Sequence, residues 1–246
     1  MSLQFHQLSP PRVYLDWRKR VLGRILPWDL WKALRLEVKS LIVSPLRPVL
    51  RVKFRRAKHL WVNLGCGAYG KPGWTNVDIA KWPGINCVFD IRKGLPFANE
   101  SVNGIFCEHA FEHLEYCNAV PELTSECSRV LVPGGVLRII VPDAGRYLRA
   151  YCENNWNSFA TLRTLDADRR DILGFQYSAK MELINVVFRQ NEEHKWAYDF
   201  ENLELVLKRF GFSEIHQQEF GKSIEPKLVL DRSIRASESL YVDARK

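Results

Sequence analysis

Hydrophobic and polar positions follow two different patterns along this chain. Between residues 17 and 41, apolar side chains recur at roughly helical spacing among arginines and lysines, which predicts helices. Pro45 and Pro48 are expected to break this series before a basic stretch that ends at Lys58. From His59 onward, short apolar runs alternate with amphipathic segments, a pattern typical of βαβ units around a parallel sheet.

The second pattern predicts seven strands, of which the last two form an antiparallel pair at the end of the sheet. The strands are expected near residues 60–64, 75–78, 86–90, 104–107, 136–141, 213–220 and 239–244. Helices are expected over residues 119–132, ended by Pro133-Gly134-Gly135, and over 201–210, and residues 145–198 are expected to be mostly helical. The predicted fold is therefore α/β, a doubly wound mixed seven-stranded sheet over residues 58–246 after a helical extension over residues 1–57.

Composition narrows the class of protein. No apolar run approaches the roughly 18 to 20 residues of a membrane-spanning helix, and charged residues interrupt any secretory pattern near the N-terminus. We therefore expect a cytoplasmic protein. The six cysteines form no CxxC pair and fall mostly inside predicted strands and helices, which indicates reduced thiols and gives no support to structural zinc bound by cysteine.

The net charge of +8 is carried by the N-terminal segment, since residues 1–60 hold +11 and the remainder −3. Three interpretations of this basic extension stay open. It can pack on the domain as a helical cover, or lie on an anionic membrane surface (here the inner one), where Trp17, Trp28 and Trp31 suit an interfacial helix. The third interpretation is an acidic partner. The absence of a recognised nucleic-acid motif disfavours nucleic acid as that partner.

Three polar features follow three of the predicted strands. Gly65-Cys66-Gly67 comes after the first strand, where glycines permit a tight turn and close backbone approach to a ligand. Asp78 ends the second strand, where a carboxylate can accept both hydroxyls of a ribose, and Asp90 ends the third, where it can accept an adenine amine. Open parallel sheets bind ligands at this edge, so the combination predicts a nucleoside-containing cofactor.

The same glycine turn matches the dinucleotide fingerprint GxGxxG over residues 65–70. That fingerprint opens a helix and meets its acidic partner about 20 residues later. Here Pro72 blocks the helix and Asp78 arrives too early, so a nicotinamide or flavin enzyme is disfavoured.

Five segments resemble the successive motifs of class I S-adenosylmethionine-dependent methyltransferases, in particular a branch of small bacterial enzymes often associated with glycan synthesis. They are residues 62–67, 74–78, 90–97, 108–113 and 129–135. The resemblance implies a Rossmann-like methyltransferase fold and S-adenosyl-L-methionine as cofactor. It implies a cofactor site that comprises Asn63, Gly65, Cys66, Gly67, Asp78, Ile79, Asp90, Ile91 and Glu108, with the two isoleucines against the purine. One departure is the stretch between Gly67 and Asp78, where Pro72 and Gly73 leave little room for the usual first helix.

The predicted reaction is methyl transfer to a small molecule or glycan, at a hydroxyl oxygen. Such an acceptor needs a general base, and histidine is the usual one near neutral pH. His109 at the tip of the fourth strand is the first candidate, and His113, Asp143 and His194 are further candidates. Each has a structural alternative. His109 can shape the pocket, His113 can be a hydrogen-bonded packing residue, and Asp143 can cap a helix. Residues 194–198 can form a lid or merely pack.

Two other classes of function are weighed against this one. Residues 109–113 read HAFEH and match the HxxEH pattern of inverted zinc peptidases, with His109 and His113 as ligands and Glu112 as base. No further protein ligand is evident in the sequence, so we expect no metal. The other alternative is a non-catalytic binding or scaffold protein that keeps the fold, which the intact glycine turn and acidic residues disfavour. The acceptor and the oligomeric state are not readable from the sequence.

Overall fold

The computed structural model of the protein describes residues 27–153, 155–171, 176–190 and 192–246. The predictions made for residues 1–26, including the interfacial role of Trp17, lie outside this part of the chain.

A single seven-stranded sheet organises the described residues. Its order is β3-β2-β1-β4-β5-β7-β6. The strands are β1 (Leu60–Leu64), β2 (Thr75–Asp78), β3 (Cys87–Val88), β4 (Val102–Glu108), β5 (Leu131–Pro142), β6 (Glu214–Gln218) and β7 (Ser239–Arg245). The pairs among β1 to β5 are parallel, whereas β7 pairs antiparallel with both β5 and β6. The predicted doubly wound mixed sheet with an antiparallel end is confirmed.

Seven helices accompany the sheet in the described residues. They are α1 (Trp28–Val43), α2 (Leu46–Phe54), α3 (Ala119–Val130), α4 (Ala144–Cys152), α5 (Trp156–Ala160), α6 (Lys180–Arg189) and α7 (Phe200–Arg209). Helix α3 turns its apolar positions to the sheet, with Val120, Leu123 and Cys127 buried. It ends at Val130, earlier than the predicted residue 132, because Leu131 already pairs with Val102 as the first residue of β5.

The link from β1 to β2 contains no helix, as Pro72 and Gly73 predicted. Instead, the side chain of Asn76 organises the link. Its amide nitrogen donates to the carbonyls of Lys71, Trp74 and Gly84, and its oxygen accepts from the Lys71 backbone at 2.8 Å. These bonds hold the loop that joins β1 to β2.

Helices α1 and α2 pack on the domain as a cover. Phe54 lies in the main hydrophobic cluster, with its ring edge-on to Phe97 at a centroid distance of 5.0 Å. The prediction that Pro48 breaks the helical series is wrong. Pro48 lies in the first turn of α2, where a proline removes no hydrogen bond that the helix needs, and Pro45 alone separates the two helices.

Residues 145–198 contain helices α4 to α6 and isolated bridges but no strand among the described residues, as predicted. None of the described helices is long and apolar enough to cross a membrane. All six cysteines are free thiols, as expected.

One charged group is fully buried in the sheet. Arg138 on β5 donates to Asp243 on β7 at 2.7 Å and makes two bonds, of 2.7 and 3.0 Å, to Asp231. All three side chains are at most 1% exposed. The cluster joins the antiparallel end of the sheet to the long connection between β6 and β7, which carries part of the second cleft described below.

We expect Arg138→Leu to destabilise the protein by about 3–5 kcal/mol, because it leaves two buried carboxylates without a counter-charge. Urea unfolding followed by circular dichroism measures this change. The matched control is Arg245→Leu on β7, whose ion pair with Glu214 is solvent-exposed and is expected to contribute at most about 1 kcal/mol. Equal losses in the two variants would contradict the importance of the buried cluster.

Candidate active site

The glycine turn after β1 approaches the end of β4 closely. Gly65 and Gly67 have φ of +60° and +50°, a region that glycine adopts without strain. A Cβ on Gly65 would lie 2.4 Å from the Cβ of Ala110, so no other residue fits there without movement of the backbone. A Cβ on Gly67 would meet nothing within 4 Å, which leaves open space beside the turn.

The carboxylate of Asp78 faces this turn. One oxygen accepts from the Gly67 backbone N–H at 2.8 Å, and the other accepts from the Ala80 backbone N–H at 2.8 Å. Each oxygen keeps a lone pair, because a carboxylate has about four acceptor positions. The arrangement leaves room for a pair of vicinal hydroxyls, and the ribose contact of Asp78 stays a prediction.

A first cleft of about 320 Å³ opens beside Asp78. It is lined by Leu36, Gly65, Asp78, Ile79, Phe89, Asp90, Ile91, Arg92, His109, Ala110, His113 and Leu114. Apolar side chains from the residues that follow β2 and β3, and from α1, form walls that suit a planar purine. Leu36 belongs to helix α1 and was not predicted, since nothing in the sequence connects that helix to the sheet edge.

Asp90 lines the first cleft but has its acceptor positions filled. It accepts from the Ser40 hydroxyl of α1 at 2.6 Å and from the backbone and two guanidinium nitrogens of Arg92 at 2.8–3.0 Å. Burial alone would raise the pKa of the Asp90 carboxyl, but these bonds outweigh it and lower that pKa. The predicted bond to an adenine amine remains a prediction, because it requires one of these donors to give way.

A second cleft of about 330 Å³ adjoins the first. Its lining comprises Asn63, Gly65, Cys66, Gly67, Tyr69, Lys71, Phe106, Glu108, His109, Glu112, His113, Gln190, Glu193, His194, Arg232 and Arg235. The two clefts share Gly65, His109 and His113. All nine predicted cofactor residues therefore line one cleft or the other.

Three of the predicted residues in the second cleft are already engaged by the protein. The Asn63 amide donates to the Tyr69 carbonyl and to the side chain of Asn76, so it stabilises the loop after β1. Glu108 accepts from the backbone and guanidinium of Arg232 at 3.0 and 2.5 Å. Burial and the neighbouring Asp78 raise the pKa of the Cys66 thiol to about 12, so it stays protonated at neutral pH.

His109 lies at the junction of the two clefts. Its backbone has φ of +50°, a strained conformation for a residue with a side chain, which turns the ring inward at the end of β4. Nδ1 lies 3.1 Å from a carboxylate oxygen of Glu112 and Nε2 lies 3.0 Å from the Ser239 hydroxyl. Because an ionised carboxylate only accepts, Nδ1 carries the proton and Nε2 accepts from Ser239.

Glu112 is 1% exposed and lies among three histidines. Burial would raise the pKa of the Glu112 carboxyl, yet the hydrogen bond from His109 and the neighbouring imidazoles hold it below its usual range. Burial lowers the pKa of His194, against the opposing effect of Glu112, so that its ring is neutral at pH 7. The site thus holds an ionised carboxylate beside a neutral imidazole.

The remaining base candidates fall in different places. His113 and His194 line the second cleft, with ring centroids 4.8 Å apart. Asp143 lies outside both clefts, where it accepts from the Arg146 backbone as the N-cap of α4 and forms an ion pair with the Arg146 side chain. The structure therefore brings the three histidines together and leaves Asp143 in the capping role that was its alternative.

Residues 194–198 pack against the domain. Trp196 stacks on Tyr116 at a centroid distance of 4.1 Å, and Tyr198 is fully buried against Phe111. Sequence reasoning missed Arg232 and Arg235, which the long connection between β6 and β7 brings to the second cleft. It also missed Ser239 of β7, which is fully buried against His109. The only signal was the cluster of charged and hydroxyl residues over residues 231–239.

Comparisons with known proteins found a matching family and a curated relative. Residues 76–139 match a family described as a methyltransferase domain. Malonyl-[acyl-carrier protein] O-methyltransferase from Methylococcus capsulatus is 33% identical over an alignment of 96 residues, which covers 35% of this chain and 33% of that protein. The chain thus aligns with about a third of this relative's length.

Solved structures of similar proteins include two S-adenosylmethionine-dependent methyltransferases. The one from Archaeoglobus fulgidus is 17% identical and covers 85% of this chain and 94% of its own, with a TM-score of 0.46. The one from Mesorhizobium loti is 19% identical and covers 81% of this chain and 96% of its own, with a TM-score of 0.45.

The strand order, the glycine turn and the acidic residue after β2 define a class I methyltransferase fold. The family match adds that residues 76–139 of the chain are similar to a methyltransferase domain. The residues fit the cofactor of that class, since Gly65 permits close approach, Asp78 offers free lone pairs and the first cleft has apolar walls.

Proposed function

We propose that the protein transfers the methyl group of S-adenosylmethionine to a hydroxyl oxygen of a small molecule or glycan. The observation that carries this proposal is the junction of the two clefts at Gly65, His109 and His113. Asp78 and the apolar walls of the first cleft would hold the adenosine portion. A histidine then lies where the cofactor cleft opens into a second, polar cleft that can take the acceptor.

S-adenosylmethionine supplies an already activated methyl group, so the protein mainly has to align the acceptor. A hydroxyl acceptor must also lose its proton, which calls for a base in the second cleft. The printed name of the Methylococcus capsulatus relative, an O-methyltransferase, agrees with an oxygen acceptor. The polar lining, with Lys71, Arg232 and Arg235, supports a polar acceptor such as a sugar.

His109 is the base in this proposal. The Glu112 carboxylate accepts the Nδ1 proton, which orients the ring and stabilises the imidazolium that forms when Nε2 takes a proton. Nε2 accepts from Ser239 in the structure. An acceptor hydroxyl would take the place of Ser239 as the donor to Nε2, which sets it beside the opening of the first cleft.

We expect His109→Gln to reduce the rate of methyl transfer by about 10²–10⁴-fold, because it removes the base. Its dissociation constant for S-adenosylhomocysteine is expected to stay within about twofold, since the cofactor residues on β1 and β2 are unchanged. Release of S-adenosylhomocysteine over a panel of hydroxyl acceptors, including lipid-linked sugars, measures the rate. His216→Ala on the exposed strand β6 is the matched control.

An undiminished rate in His109→Gln would remove this residue as the base. Turnover by the wild-type protein of amine acceptors alone would contradict the proposed hydroxyl acceptor. Cofactor binding without turnover of any acceptor would favour the non-catalytic alternative.

We propose further that α1 and α2 contact an anionic membrane surface on the cytoplasmic side. Leu41, Ile42 and Val52 are 69–74% exposed and lie among basic residues of these helices. Apolar side chains flanked by cations bind the interface of anionic bilayers.

The double variant Leu41→Gln and Val52→Gln is expected to lower sedimentation with phosphatidylserine vesicles by at least about fivefold, because it removes two exposed apolar contacts. Leu205→Gln on α7, an exposed apolar residue at a distance from α1 and α2 in the sequence, is the control. Equal binding of wild type to neutral and anionic vesicles, or no binding to either, would contradict the membrane contact.

A further inference from the structure

Three side chains with metal-ligating atoms meet on one wall of the second cleft. Glu112 and His113 come from the turn after β4, and His194 comes from the segment that follows α6. One ligand atom from each lies within 4.8 Å of the other two. Among the residues that the structure describes, this is the group of histidines and acidic residues with the spacing of a metal site.

Hydrogen bonds fix the ring orientations of His113 and His194. Nδ1 of His113 lies 3.0 Å from the Glu193 carbonyl, and Nδ1 of His194 lies 2.6 Å from the Val187 carbonyl. A carbonyl oxygen only accepts, so each Nδ1 carries a proton, and Nε2 is the ring nitrogen that is left to bind a metal. Metal-binding histidines in proteins show this arrangement, with the second ring nitrogen bonded to a carbonyl or carboxylate.

One oxygen of the Glu112 carboxylate accepts no hydrogen bond from the described part of the chain. Oε1 accepts from His109, whereas Oε2 is buried and has no hydrogen-bond partner among the described residues. A buried anionic oxygen without a donor is unfavourable, and native proteins nearly always pair such atoms. The other oxygen, Oε1, lies 3.9 Å from Nε2 of His194, so the carboxylate faces this imidazole and has an acceptor position that a cation can fill.

The backbone holds the three residues in this arrangement. The backbone N–H groups of Lys195 and Trp196 donate to the Glu112 carbonyl at 2.8 and 3.3 Å. These bonds join the segment that carries His194 to the turn that carries Glu112 and His113. The cluster is thus preorganised by main-chain contacts that do not depend on its own side chains.

We propose that Glu112, His113 and His194 bind a divalent first-row transition metal ion in the second cleft. Two histidines and one carboxylate form a common ligand set for zinc and for non-haem iron. Ligands of a tetrahedral zinc ion lie about 3.4 Å apart, since each is about 2.1 Å from the metal. The ligand atoms, now within 4.8 Å of one another, would therefore move closer by up to about 1.4 Å on binding. Three protein ligands leave a coordination position free for an oxygen atom of the acceptor.

The zinc hypothesis from the HxxEH pattern had assigned different roles. It made His109 and His113 the ligands and Glu112 the base. In the structure the turn over Phe111–His113 is a 3-10 turn, and His109 points to Ser239 and Glu112. His194 supplies the ligand that the sequence did not reveal, and it leaves His109 free to act as the base of the proposed function.

Metal binding to the full-length chain tests this inference, with no need for an acceptor. The protein is dialysed against a chelator and titrated with Zn²⁺ by calorimetry and with Co²⁺ by visible absorption. We expect one equivalent to bind per chain, with the d–d bands of a four- or five-coordinate Co²⁺ ion. His194→Ala is expected to weaken the affinity by at least about 100-fold, more than the loss of an outer-shell partner does.

His216→Ala is the matched control, because it removes an exposed histidine of β6 and is expected to bind metal as the wild type does. Glu112 is buried, so Glu112→Gln can disturb folding, and His113→Ala serves as the second ligand variant because its side chain is only partly buried. Each variant is checked by its melting temperature and by S-adenosylhomocysteine binding.

Absence of metal binding in the wild type, or unchanged binding in both His194→Ala and His113→Ala, would overturn the proposed metal site. The proposed function is tested separately in the same samples. S-adenosylhomocysteine binding without metal binding removes the metal site and leaves the methyltransferase proposal. Metal binding without S-adenosylhomocysteine binding removes the methyltransferase proposal and leaves the metal site.

Discussion

The parallel pairing of β1 with both β2 and β4 is the constraint on which the rest of the site depends. It brings the carboxyl ends of three strands to one edge of the sheet. There the Gly67 N–H meets the Asp78 carboxylate at 2.8 Å, and Gly65 passes so close to Ala110 that a side chain has no room. A backbone turn, a carboxylate and the strained His109 are thus set side by side by strand register, and both clefts follow from that arrangement.

Glu112 organises the other half of the site. Its carboxylate orients His109, and its backbone carbonyl accepts from Lys195 and Trp196. Through these bonds a single residue after β4 joins the junction of the clefts to the segment after α6. The same carboxylate therefore supports the proposed base and the proposed metal site.

Much of the fold was predictable because strands and turns carry local signals. The bounds of β1 and β2 agree with prediction, and Pro72 correctly indicated a loop in place of a helix. Pro48 was misread, because a proline in the first turn of a helix has the same sequence signature as one that ends it. The cofactor residues were predictable for a related reason, since the ends of parallel strands must meet.

The parts that could not be predicted depend on long-range contacts. Ser40 fills an acceptor position of Asp90 from a helix that precedes the sheet. Main-chain hydrogen bonds bring the segment of His194 close to Glu112, and no local sequence pattern predicts them. Ser239 contacts His109 because β7 pairs antiparallel with β5, which places the start of β7 beside the end of β4. Sequence patterns indicate which residues have useful chemistry, but the assembled sheet decides which of them meet.

Calorimetric titration of the protein with S-adenosylhomocysteine tests whether the cofactor binds at Asp78. We expect one site with micromolar affinity, weakened by at least about 100-fold in Asp78→Ala, because the ribose hydroxyls lose their carboxylate partner. Asp168→Ala, which removes an exposed carboxylate from the loop before α6, is expected to bind as the wild type does. Absence of binding in the wild type, or equal affinity in Asp78→Ala, would contradict the assignment of the cofactor site to this edge of the sheet.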